Sequence, residues 1–278
     1  MGDKDMSVHF PGLRRTQQKG SKPRCHLLTY GTRQEIARRL SSLIEPWGEV
    51  LAEGSWWMPN GFADCEEAQL HTSEKIIPDL QERNALLNWW LAVPGATRTT
   101  TPNWDIASTC LIHGRPGILL IEAKAHAAEL RNEERGKPLG GEDGRGVSID
   151  SRRNHIRIGC CIQEAGLSLS EETRLPWALS RDWCYQMSNR FAWAWKLAEL
   201  GKPIILIYLG FLACEEMQDG TGQNLIAKND DWERMVEAHS RPLFPREIWN
   251  KEWHVHGKSF IPLIRTFNQP LGFPETVR

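Results

Sequence analysis

Apolar residues recur at helical spacing in several segments of the chain. The first follows Thr32-Arg33-Gln34-Glu35, which fits a capping box, and it predicts a helix that ends before Pro46. The same periodicity predicts four later helices, from Pro78 to Leu91, Asn154 to Ala165, Asp182 to Leu200, and Asp230 to Ala238.

Two continuous apolar runs predict strands that are covered on both faces. Gly117–Ile121 follows a first strand that starts at Ile106 and a turn within His113–Gly117, so this region predicts a hairpin. Pro203–Leu209 is the second buried strand, and Trp249–Thr266 extends the fold as a strand or loop. This mixture predicts an α/β fold with a central mixed β-sheet flanked by helices.

The ends and the middle of the chain contain less regular segments. Residues 1–28 are polar and lack periodicity, and five basic residues without an acid lie between Arg14 and Arg24. They predict a mobile basic arm, which either contacts nucleic acid or is simply a solvated tail. Residues 29–278 then form a single domain. Within it, the polar connection from Ala125 to Arg153 is either disordered or a functional lid.

Composition sets the broad class of the protein. Hydrophobic residues make up 40% of the 278 and the net charge is −1, which is ordinary for a globular protein. No run approaches the roughly 18 apolar residues that a membrane helix needs. Seven cysteines without CxxC spacing argue against a disulfide framework and favour a reducing compartment. We therefore expect a cytoplasmic protein without a membrane partner.

The candidate chemistry lies in Asn103-Trp104-Asp105 and in Glu122-Ala123-Lys124. Side chains alternate along a strand, so Glu122 and Lys124 project to one face. Asp105 joins that face if the turn of the hairpin has an even number of residues or a bulge, whereas a five-residue turn would place it on the opposite face. Two acids beside a lysine suit a hard divalent metal and phosphodiester cleavage.

The order helix, hairpin with Asp105 and Glu122-Ala123-Lys124, helix and buried strand resembles the PD-(D/E)xK nuclease superfamily. The resemblance covers about 78–211 and implies a restriction-endonuclease-like core with N- and C-terminal elaborations. It implies that Asp105 and Glu122 bind Mg²⁺, with Mn²⁺ as a substitute, and that the Ala123 carbonyl is a further ligand. Lys124 would be the catalytic lysine, which neutralises the scissile phosphate or helps to deprotonate the attacking water.

The sequence departs from the family at two positions. Trp104 stands where the family has a proline before its aspartate. One branch carries Gln-x-x-x-Tyr on the following helix, where this chain has Gln186 but Arg190 in place of the tyrosine. Gln186 and Arg190 share a polar helical face, so we expect both of them to contact substrate or a metal-bound water.

These residues predict a metal-dependent nuclease that acts on DNA rather than RNA, in restriction, repair or defence against foreign DNA. Arg152, Arg153 and Arg157 are the candidate phosphate contacts, since they follow the polar connection. Trp104 and Trp193 are candidate base-stacking platforms. A homodimer would suit cleavage of both strands, although no residue specifies one.

Three alternatives stay open. The domain could bind nucleic acid or a protein partner without cutting. Lys124 could simply pair with Glu122 at the end of a strand. Glu82, on the helix before the hairpin, is either an additional metal-associated acid or part of a solvated face.

Overall fold

Seven strands form one mixed sheet, which the computed structural model describes together with the surrounding helices in residues 9–139, 147–218 and 225–272. The helices are α1 (Ser21–Leu28), α2 (Arg33–Ile44), α3 (Leu80–Trp90), α4 (Ala127–Glu133), α5 (Ile149–Thr173), α6 (Tyr185–Glu199) and α7 (Asn229–Ser240). The strands are β1 (Gly48–Glu49), β2 (Trp57–Met58), β3 (Ile106–Ile112), β4 (Arg115–Lys124), β5 (Ile204–Phe211), β6 (Trp253–Val255) and β7 (Lys258–Phe267). Short 3₁₀ helices lie at Arg15–Gln17, Glu215–Met217 and Arg246–Ile248.

The strand order is β1-β3-β4-β5-β7-β6, and β2 also pairs with β3. The pairs β4–β5 and β5–β7 are parallel, whereas β1, β2 and β4 all run antiparallel to β3, and β6 runs antiparallel to β7. Every residue of β5 is buried, as its continuous apolar sequence predicts for a central strand. The expected α/β class with a mixed sheet and flanking helices is confirmed.

The alternation of side chains divides the core between the two faces of the sheet. Ile118 and Leu120 of β4 pack with residues of α3, α5, α6 and α7 on one face. Leu119, Ile121 and Ala123 pack with α1 and α2 on the other. Glu122 and Lys124 continue the series of Leu120, so both project to the α6 face.

The hairpin turn consists of only two residues, His113 and Gly114, because Ile112 pairs with Arg115. Both have positive φ, 48° and 72°, as the two-residue turns that match strand twist require. The turn therefore has the even number of residues that places Asp105 on the face of Glu122, although it is shorter than the segment that the sequence suggested. The register pairs Ile106 with Ile121 and brings the next residues, Asp105 and Glu122, opposite each other.

The N-terminal segment differs from the predicted mobile arm in its described part. Residues 21–28 form α1, in which Arg24 is only 2% exposed. The Arg24 guanidinium donates to both oxygens of Glu216 and to the carbonyl of Gln269. Partners far along the chain therefore order a segment that has no apolar periodicity of its own. Residues 1–8 lie outside the described residues.

The predicted polar connection also contains structure. It includes α4, and α5 begins at Ile149 rather than at the expected Asn154, because the side chain of Ser148 accepts a hydrogen bond from the Ser151 amide and caps the helix. The middle of this connection, residues 140–146, lies outside the described residues, so the choice between disorder and a functional lid stays a prediction there. In the described ranges, no helix is long and apolar enough to cross a membrane.

Candidate active site

Asp105 and Glu122 meet at the end of the β3–β4 hairpin. The Ala123 amide donates a hydrogen bond of 2.8 Å to Asp105 Oδ2, which ties the first acid to the strand that carries the second. Ala123 follows Glu122 on β4 and lines the same cavity as the two acids. The structure thus brings together the three residues that the sequence predicted as metal ligands.

Glu122 is fully engaged by positive and polar groups. Its Oε2 accepts from Arg190 Nε at 2.6 Å, and its Oε1 accepts from Lys124 Nζ and from Gln186 Nε2. Burial alone would raise the pKa of this carboxyl group, which is 1% exposed, but Arg190 and Lys124 outweigh burial and lower it. Glu122 is therefore a carboxylate whose charge is already balanced.

Asp105 has the opposite surroundings. Burial, and then repulsion by Glu122, raises the pKa of Asp105 to about 8, and the Lys124 charge and the Ala123 amide only partly oppose this. Two acids this close would be expected to raise each other's pKa, but only the pKa of Asp105 is raised, because Arg190 and Lys124 lie against Glu122.

Lys124 bridges two acids. Its Nζ contacts Glu122 and lies 2.6 Å from Oε1 of Glu133, a buried residue at the end of α4. Burial would lower the pKa of Lys124, but the charges of Glu122 and Glu133 raise it. Lys124 is therefore an ammonium ion at neutral pH, which suits charge neutralisation rather than proton abstraction.

Sequence reasoning missed Glu133. It lies nine positions after Lys124 on a helix that the polar pattern did not predict, so no spacing rule identifies it. Its other oxygen lies 3.6 Å from Nε2 of His239 on α7. Lys124 is thus held from two sides, by β4 and by α4.

Arg190 is not available as the predicted phosphate contact. It is 6% exposed, it pairs with Glu122, its Nη2 donates to the carbonyl of Asn103, and its guanidinium stacks 4.6 Å from the Trp104 ring centroid. The sequence placed Arg190 correctly on the helical face of Gln186, but the face turns toward Glu122 because α6 packs against the sheet.

Four further predicted residues lie away from the acids or inside the core. Trp104 and Trp193 are 0% exposed, so the prediction that they stack on bases is wrong. Glu82 forms an ion pair of 2.9 Å with Lys202 outside the site. Arg153 is exposed and lies 3.6 Å from Asp150 on α5.

Arg152 and Arg157 are also exposed on α5, and neither lines the cavity of the acids. Ser148, Ser151 and His155 of the same region do line it. The three arginines remain predicted phosphate contacts, on a surface beside the cavity rather than in it.

The acids lie in a cavity of about 1030 Å³. Its charged lining residues are Glu67, Asp105, Glu122, Glu129, Arg98, Lys124, Lys137 and Arg190. Its hydroxyl-bearing lining residues are Ser21, Thr97, Thr99, Thr100, Thr101, Ser148, Ser151 and Tyr185. A cavity of this size that is lined by so many charged and hydroxyl-bearing side chains suits a polar ligand.

Comparison of the chain with protein-family models, with curated proteins and with solved structures found no match. The resemblance to the PD-(D/E)xK superfamily therefore depends on the residues and on the order of elements alone. In the described part of the chain, no cluster of three or more His, Cys, Asp or Glu side chains could hold a metal ion. Two carboxylates and a carbonyl are what this site offers, and Mg²⁺ is commonly bound by one or two carboxylates together with waters and substrate phosphates.

Proposed function

We propose that this protein is a metal-dependent nuclease that cleaves DNA. The observation that carries the proposal is the hairpin register, which sets Asp105 opposite Glu122 with Lys124 on the same face, at the wall of a large polar cavity. A structural ion pair needs only Glu122 and Lys124. Asp105 lies opposite Glu122, and its charge is poorly compensated. A neutral residue at this position would serve the fold better than an acid.

Asp105, Glu122 and the Ala123 carbonyl would hold the metal. The raised pKa of Asp105 supports the fit, because it arises from burial and then from repulsion by Glu122, and a divalent cation would compensate both effects. When bound, the cation would offset charge on the phosphate and lower the pKa of a coordinated water.

The other residues of the site would position and balance charge. Lys124, kept protonated by Glu122 and Glu133, would stabilise negative charge on the phosphate in the transition state. Gln186 and Arg190 would fix the orientation of the Glu122 carboxylate by hydrogen bonds to its two oxygens.

The test is cleavage of supercoiled plasmid and of single-stranded DNA, with Mg²⁺ or with EDTA. We expect cleavage that needs Mg²⁺ and falls at least roughly 100-fold in Asp105→Asn and in Lys124→Gln. Glu82→Gln is the matched control, since Glu82 also pairs with a lysine but lies outside the site. Equal cleavage by Asp105→Asn and the wild type would overturn the assignment.

One observation favours a second candidate, a nuclease-like domain that binds DNA without cutting it. Both oxygens of Glu122 already accept hydrogen bonds from side chains, and a metal must share them. DNA binding without cleavage in Mg²⁺ or Mn²⁺ would support this candidate.

A further inference from the structure

The four cationic side chains that line the cavity fall into two pairs. Lys124 and Arg190 are committed to Glu122 by direct ion pairs. Arg98 and Lys137 have no carboxylate within ion-pair distance in residues 9–139, 147–218 and 225–272. The cavity therefore contains two positive charges that the protein itself leaves without a counterion there.

The other acids of the cavity are already satisfied. Glu67 pairs with Lys22, and Glu129 accepts hydrogen bonds from the Ser21 hydroxyl and the Ala125 amide. Neither acid is positioned as the missing partner of Arg98 or Lys137.

The backbone holds Lys137 at a fixed place. Arg135 pairs with Trp183 in an isolated β-bridge, and the Lys137 amide donates to the Arg181 carbonyl at 2.8 Å. Gly136 lies between Arg135 and Lys137. A β-carbon at this position would collide with the backbone of Asp182, so the close approach of these two segments requires glycine. The backbone of Lys137 is thus held in place by hydrogen bonds to the segment 181–183.

Its side chain lines the same cavity as the acids. The Lys137 ammonium lies 5.0 Å from the centroid of the Tyr185 ring. The next residue, Gln186, donates to Glu122. Lys137 therefore lies against the residue of α6 that precedes a residue of the candidate active site.

The surroundings of Lys137 favour an anion. Burial lowers the pKa of its ammonium group, and no acid of the described ranges opposes this effect. An anion beside the ammonium would compensate the cost of its burial. The hydroxyls of Thr97, Thr99 and Thr100, on the segment that carries Arg98, also line this cavity and are groups that commonly bind phosphate oxygens.

We propose that Arg98 and Lys137 bind phosphate groups of the DNA backbone next to the phosphate that is cleaved. This inference rests on the proposed nuclease function and adds to it the residues that hold the substrate in the cavity. It also separates two kinds of cation at the site, those that orient Glu122 and those that bind substrate.

The test measures binding of short double-stranded DNA in EDTA, where no cleavage occurs, over a range of salt concentrations. The variants are Lys137→Gln and Arg98→Gln, and Arg98 is exposed, so its replacement does not threaten folding. Lys196→Gln is the matched control, because Lys196 also lies over an aromatic ring, 5.4 Å from the centroid of Trp89, but does not line the cavity.

We expect each cavity variant to bind roughly tenfold more weakly at low salt. The slope of log K against log salt should lose about 0.9 in magnitude for each phosphate contact removed. Lys137→Arg should keep the wild-type slope, and Lys196→Gln should change neither affinity nor slope.

Wild-type slopes in both Lys137→Gln and Arg98→Gln, with DNA binding intact, would overturn this inference and leave the nuclease proposal standing. A slope reduced equally in Lys196→Gln would also overturn it, because a general loss of charge would then explain the effect. Absence of any DNA binding by the wild type in EDTA would overturn this inference, whereas the nuclease proposal is decided separately by cleavage in Mg²⁺.

Discussion

The β3 side and the β4 side of the site hold one carboxylate each, in opposite surroundings. Glu122 on β4 receives two cations and an amide, and its pKa is lowered. Asp105 on the β3 side receives one backbone amide, and its pKa is raised to about 8. The difference teaches that the protein neutralises one acid by ion pairs and leaves the other without an ion pair among the described residues.

The largest effect is expected from breaking the balanced side. Glu122→Gln leaves Lys124 and Arg190 without their common partner, and we expect a loss of about 3–5 kcal/mol in the free energy of unfolding. Urea denaturation measures it. Glu82→Gln, which breaks an ion pair that is more accessible to solvent, should cost less than about 1 kcal/mol. Equal losses in the two variants would mean that the buried ion pairs of Glu122 contribute no more to stability than the ion pair of Glu82.

A smaller loss is expected from Glu133→Gln, because Lys124 then keeps Glu122 as a partner. We expect about 1–3 kcal/mol of destabilisation. If Glu133 positions Lys124, kcat for DNA cleavage should fall roughly tenfold while KM stays the same, since the lysine would act on the transition state rather than on binding. A change in stability with unchanged kcat would limit Glu133 to a structural role.

Asp105→Asn should increase the free energy of unfolding, whereas the two preceding variants decrease it. Because the folded-state pKa of Asp105 is raised from 3.8 to about 8, the folded protein loses stability as the pH rises between these values. Asparagine avoids this loss and still accepts from the Ala123 amide. We expect about 1 kcal/mol of stabilisation at neutral pH, discounted because Asp105 is partly exposed to the cavity, together with loss of cleavage.

The pH dependence provides the control for that variant. The difference in unfolding free energy between Asp105→Asn and the wild type should vanish below about pH 4 and grow toward pH 8. A difference that is constant with pH would mean that the aspartate charge is not its cause.

The smallest effect is expected from Arg153→Gln, which removes an exposed ion pair of 3.6 Å with Asp150 on α5. Thermal unfolding should show a change within about 0.5 kcal/mol. A larger change in the free energy of unfolding would show that Arg153 stabilises the fold although its side chain is exposed.

Local patterns were enough to predict most of the framework. The capping box at Thr32 bonds as expected, and β5 follows its apolar run. The sequence also linked the number of turn residues to the site. Side chains alternate along a strand, so an even number of turn residues places Asp105 on the face of Glu122. These features depend on neighbours within a few residues.

The rest depends on contacts between distant segments. The sequence around Arg24 is typical of a solvated tail, but Arg24 is buried and forms an ion pair with Glu216. Arg190 appeared free for phosphate because its partner, Glu122, lies 68 positions away. Glu133 and Lys137 lie in a polar connection whose path is fixed by Trp183 and Arg181, which no periodicity reveals.

The anchoring of α1 has a consequence for how the chain matures. The Arg24 guanidinium needs Glu216 and Gln269, and the small apolar cluster of Phe10, Leu13 and Leu27 packs with Leu271. During synthesis, α1 can therefore dock fully only after Gln269, which lies 245 positions after Arg24, has been made. Because Ser21 of α1 lines the cavity, the wall of the candidate active site is completed only after that late step.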